Sequence, residues 1–141
     1  MPKRFRLLPV LVVLLIPLCT ACGDDSGPST KVTYLVSSTS MVTNVTWRDA
    51  SGDLVMVNPA AAVWSNVFFT TKRPLTLECT GTVYGSSGMW MPGGDPMLPD
   101  IWFPMLDTMT VTISVDGSNV ASATANGTAS VIICSTNYQL P

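Results

Sequence analysis

"TMTVTISVDGSNVASATANGTASVIICS", residues 108–135, decides the fold. Met109, Val111, Ile113 and Val115 alternate with Thr110, Thr112 and Ser114, the period of a strand with one buried and one wet face. Asp116-Gly117 and Asn126-Gly127 are dipeptides that tolerate positive φ at tight hairpin turns. They predict a three-strand meander over 108–115, 119–125 and 128–134. Val131-Ile132-Ile133-Cys134 is apolar without alternation and predicts a central strand covered on both sides.

The same grammar extends upstream. Val32, Tyr34 and Val36 alternate with polar positions, and so do Met41, Thr43, Val45 and Trp47, closed by the turn Arg48–Gly52. Leu54–Val57 is a short apolar run ended by Asn58-Pro59, and Val63–Thr71 is β-branched and aromatic. After Pro74, the residues Leu75, Leu77, Cys79, Gly81 and Val83 share one face. Trp47 and Trp64 are expected in the core. No segment after Lys31 repeats at helical period. The expectation is an all-β chain, a single antiparallel Ig-like β-sandwich of seven to eight short strands over residues 31–141.

Residues 85–106, "GSSGMWMPGGDPMLPDIWFPML", break the rhythm with four of the eleven prolines, four of the eight methionines and two of the four tryptophans. So many prolines exclude an interior helix or a central strand, and so long a loop in a compact domain is often functional. Trp90, Met91, Trp102, Phe103 and Met105 are the candidate contact residues for a partner or hydrophobic ligand, since aromatics and methionine are enriched at interfaces. The alternative is a loop that folds back over the end of the core. Met89, Met91, Met97 and Met105 are soft donors suited to copper(I), but no histidine supports them. Asp95, Asp100 and Asp107 are separated by prolines and match no loop that wraps calcium. No cofactor or metal is expected.

The amino terminus carries Lys3, Arg4 and Arg6, then twelve mostly apolar residues, Leu7–Leu18. That is the layout of an export signal and is shorter than the roughly 20 residues a membrane-spanning helix needs. Thr20 and Ala21 before Cys22 resemble a bacterial lipobox, although Cys19 stands where leucine is usual. The resemblance implies a signal peptide over 1–21, lipidation at Cys22, a polar tether over 22–30 and a cell-membrane location on the extracytoplasmic face. Two acyl chains hold stably where one is marginal. Beyond Cys22, Lys31, Arg48, Lys72 and Arg73 face nine acids, so nucleic acid is not an expected partner. In an oxidising compartment Cys79 and Cys134 are expected to form a disulfide closing about 55 residues, on the order of 4 kcal/mol in the chain-entropy model. Histidine is absent, which removes the usual general base and every Ser/His or Cys/His arrangement, so the chain is read as a binder and not an enzyme.

Three stretches carry a family resemblance. "KVTYLV" with "TNVTWRDASGD", then "AAAVWSNVFFT", then "VTISVDGSNVASATANGTASVIICS" resemble the MmpS family, small accessory proteins of MmpL-type lipid and siderophore exporters. Besides the lipid tether in place of a transmembrane helix, the chain departs from the family at three points. Val63 replaces a proline, Val111 replaces a cysteine, and the 85–106 segment has no family counterpart. The resemblance implies a non-catalytic accessory protein, tethered by lipid instead of a transmembrane helix, with an MmpL-type transporter or another envelope protein as partner. The alternative is a stand-alone binding module for a small hydrophobic molecule or envelope lipid.

Overall fold

The computed structural model describes residues 27–84, 88–91, 93, 101–128 and 130–141, with only the backbone considered at 88–91 and 101–104. Among the described residues ten strands follow one another: β1 Thr30–Val42, β2 Asn44–Arg48, β3 Leu54–Val57, β4 Ala61–Thr70, β5 Leu75–Tyr84, β6 Gly88–Met91, β7 Ile101–Pro104, β8 Asp107–Val115, β9 Ser118–Gly127 and β10 Val131–Leu140. Eight of them form two antiparallel four-stranded sheets, ordered β4-β1-β8-β9 and β10-β5-β2-β3, and β6 pairs with β7 as a separate ribbon. The β-sandwich expected from the alternation is the architecture found.

Its core is where the alternation puts it. Val32, Tyr34 and Val36 from β1, Leu75, Leu77, Cys79 and Val83 from β5, and Met109, Val111 and Ile113 from β8 are all buried. Gly81 lies among them because the sheets approach too closely for a side chain. A Cβ there would sit 2.8 Å from Val36 Cγ1 and 2.9 Å from Met109 Sδ. The Tyr34 hydroxyl reaches out of this apolar layer to donate to the Arg48 carbonyl at 2.8 Å. Burial holds its ionisation well above the ordinary tyrosine range.

Four expectations are corrected. Asp116 (φ 49°) and Gly117 (φ 84°) do make the tight β8–β9 turn. Asn126-Gly127, in contrast, stays extended in β9, with Gly127 opposite Asp107. The chain then crosses to the other sheet, where β10 pairs with β5. β10 is consequently an edge strand, and Val131 and Ile133 are exposed instead of covered. The third concerns Met41, which is exposed while its neighbour Val42 is buried. The alternation changes phase there because β1 leaves the first sheet and β2 joins the second, fixed by the Thr43 amide donating to the Thr82 carbonyl at 2.9 Å.

The fourth is the disulfide. Cys79 and Cys134 are free, buried thiols. Cys79 pairs across the ladder with Thr136 and Cys134 with Gly81, so the two cysteines are diagonal neighbours on one face. Such diagonals lie roughly 7–8 Å apart, beyond the Cα separation a disulfide spans without moving backbone.

Candidate functional site

The strand directions give the sandwich two distinct ends. β1 enters at one end, beside the turns 49–53, 71–74 and 116–117; the ribbon leaves from the other, between Tyr84 and Met105. The ribbon occupies part of the 85–106 segment expected as a loop. It pairs Gly88 with Pro104, Met89 with Phe103, Trp90 with Trp102 and Met91 with Ile101. Register therefore brings four of the five proposed contact residues into one short ladder; the orientation of their side chains lies outside the described residues. The fifth, Met105, is 50% exposed.

Sequence reasoning missed the apolar surface around the ribbon. Tyr84 (62% exposed) and Leu106 (64%) flank it, and Val131 and Ile133 continue from Tyr84 on the outer face of β10. The signal was present in Val131–Cys134, where the lack of alternation was read as double coverage.

At the start of β8, Asp107 is fully buried. Its Oδ1 accepts from Ser40 Oγ at 2.5 Å and Thr39 Oγ1 at 3.2 Å, while the Thr108 amide donates to Thr39 Oγ1 at 2.9 Å. These bonds latch the irregular end of β1 to the strand that follows the ribbon. Of the other carboxylates considered for calcium, Asp95 and Asp100 lie outside the described residues. Among the described residues no group of three or more acidic or thiol side chains could hold a metal ion.

The end opposite the ribbon is polar. A hollow of about 280 Å³ is lined by Arg48, Ser51, Gly52, Lys72, Pro74, Leu75 and Thr76. Its cations are already engaged: Arg48 pairs with Glu78 at 3.0 Å and donates to the Gly52 carbonyl, and Lys72 donates to the Ser51 carbonyl. Asp49 Oδ1 accepts from the Ser51 and Asp53 amides at 2.8 and 3.1 Å, which accounts for the aspartates of this turn. A second hollow, about 200 Å³, is lined by Ser37, Ser38, Thr39, Thr108 and Thr110. Neither is an apolar slot of the size that encloses a lipid chain.

Burial pushes the Cys79 thiol up to about 12, helped by the nearby Cys134, and burial also raises Cys134. Both are poor nucleophiles in the folded chain. The expected signal peptide (1–21), the expected lipidation residue Cys22 and residues 23–26 of the expected tether fall outside the described residues. Among the described residues no helix is long and apolar enough to cross a membrane. No protein-family model matches the chain, and no curated protein is similar to it.

Proposed function

We propose that the chain is a lipid-anchored accessory protein of the bacterial envelope, held through Cys22 on the extracytoplasmic face. It captures a membrane-protein partner through the 85–106 segment and does no chemistry of its own. One observation carries this reading. The end of the sandwich farthest from the chain's entry exposes Tyr84, Met105 and Leu106 beside a ribbon built from Trp, Met, Ile and Phe. Apolar patches concentrated in this way mark interaction surfaces on soluble domains. The hollow at the opposite end is polar and its cations are already engaged, which favours surface capture over enclosure of cargo there. The resemblance to the MmpS family supplies the partner class, an MmpL-type exporter.

Photo-crosslinking from positions 90 and 102 in the native envelope tests this directly. A crosslinked membrane transporter is the expected product. Trp90→Ala with Trp102→Ala should then weaken capture about thirtyfold, the scale of a buried aromatic hot spot, with the thermal midpoint unchanged. Crosslinks to lipid alone would replace this reading with that of a stand-alone lipid-binding module.

A further inference from the structure

Each of the four sheet edges meets its surroundings differently. β9 and β10, the edges on one side of the sandwich, pack against each other across the two sheets. β3, on the other side, is only four residues long. β4 is ten residues long, contains no charged residue, proline or glycine, and has no second neighbour in its sheet among the described residues. It pairs with β1 in unbroken register from Thr30↔Thr70 to Ser37↔Val63, and the register shifts only beyond that, toward Val42↔Ala61, so the stretch Val63–Thr70 is not twisted away from an incoming strand. Short length, charge, proline and bulges are the usual protections of a free edge, and β4 from Val63 to Thr70 has none of them.

Its side chains point the same way. Outward-facing Val63, Val67 and Phe69 are 59%, 49% and 63% exposed. On the inner face Trp64 stacks on Trp47 at 4.8 Å and Phe68 on Tyr34 at 5.6 Å, yet both remain only partly buried. Short β3 leaves them open on the side where a further strand would lie.

We propose that β4 is a strand-addition edge and that its occupant is β4 of a second copy, antiparallel about a two-fold axis. Directly opposed residues in an antiparallel pair share a face, so joining the two sheets with matched outer faces requires one residue to oppose its own copy, with the axis midway between them. The two registers that overlap most of the strand centre on Ser65 or Asn66. Centring on Ser65 sets Val63 against the second copy's Val67; centring on Asn66 sets Val63 against the second copy's Phe69 and Trp64 against its Phe68. Each outer position meets an uncharged one, so the strand complements itself without a like-charge pair. The contact is smaller than the roughly 20–30 residues a side of a standard interface, so a micromolar dimer is expected.

Sedimentation equilibrium of the host-matured full chain in non-ionic detergent tests this. The wild type should dimerise, and Val67→Lys with Phe69→Lys should raise the dissociation constant at least about tenfold. Ser135→Lys with Asn137→Lys adds equal charge to exposed positions of the β10 edge and should leave the dimer unchanged. Ser65→Lys removes no apolar side chain, so it must weaken the dimer even if the double substitution perturbs folding. A wild type that stays monomeric up to about 200 µM, or a dimer that tolerates Ser65→Lys, overturns the proposal.

Discussion

Gly81→Ala tests how the two sheets meet. The added methyl would sit 2.8 Å from Val36 Cγ1 and 2.9 Å from Met109 Sδ, with Val111 Cγ2 at 3.6 Å. Comfortable carbon contacts lie near 3.5–4.0 Å, so Val36 and Met109 must each retreat by roughly 0.7–1 Å. Both are completely buried, so neither can swing out into solvent. Overpacking of this kind costs about 1–3 kcal/mol. Gly81 does not have positive φ, so alanine adopts its backbone and recovers about 0.4–1 kcal/mol by restricting the unfolded chain. The expected net loss is about 1–2 kcal/mol, or a thermal midpoint lower by about 4–10 °C. Urea unfolding followed by tryptophan fluorescence reads the loss. Val36→Ala in the same chain then removes one clashing atom, so the double variant should be at least about 1 kcal/mol more stable than the sum of the single costs. A Gly81→Ala protein as stable as the wild type, or strictly additive costs, would refute the close approach at this position.

Other predictions follow from single contacts. Tyr34→Phe removes the buried hydrogen bond to the Arg48 carbonyl and should cost about 1 kcal/mol in urea unfolding. Asp107→Ala deprives the Ser40 and Thr39 hydroxyls of their acceptor. A loss of about 1–3 kcal/mol is expected, with faster hydrogen exchange of the Thr108 amide as its local signature. Cys79 and Cys134 should resist iodoacetamide in the folded chain at pH 8 and label fully in urea, read by peptide mass spectrometry. The folded chain keeps the Cys79 proton that the unfolded chain releases near pH 9.0, so this contribution to stability is intact below that pH and is lost as pH rises toward about 12. A thermal midpoint that stayed flat across that alkaline range would contradict a buried thiol.

Strand positions were legible because one-sided burial writes a period of two into the sequence, as in Leu75–Val83 and Met109–Val115. Sheet membership was not. Asn126-Gly127 has the composition of a hairpin turn, yet β10 crosses to the other sheet, where Ile132, Cys134 and Leu140 find the core opposite β5. Local turn chemistry carries no record of that long-range choice. The run Val131–Cys134 misled for a related reason: an edge strand with an exposed apolar face and a doubly covered strand have the same composition. At the candidate site, Trp90 and Trp102 were visible as residues but their mutual register was not, since pairing across twelve positions depends on the ladder between them. Nothing in the local sequence announces the burial of Asp107, because Thr39 and Ser40 reach it from 68 and 67 positions away.

The antiparallel run of β5 also works as a ruler. Its ten residues lead from the end where β1 enters to the end where the ribbon begins, a span of about 33 Å at the rise of an extended strand. Anything that grips the start of β1 therefore holds Tyr84, at the far end of β5, at a fixed standoff, set by hydrogen-bonded strands instead of by a slack linker. Lengthening the segment before Thr30 would let the whole domain drift, but it would not alter that internal distance. Only a change in the paired strands themselves would.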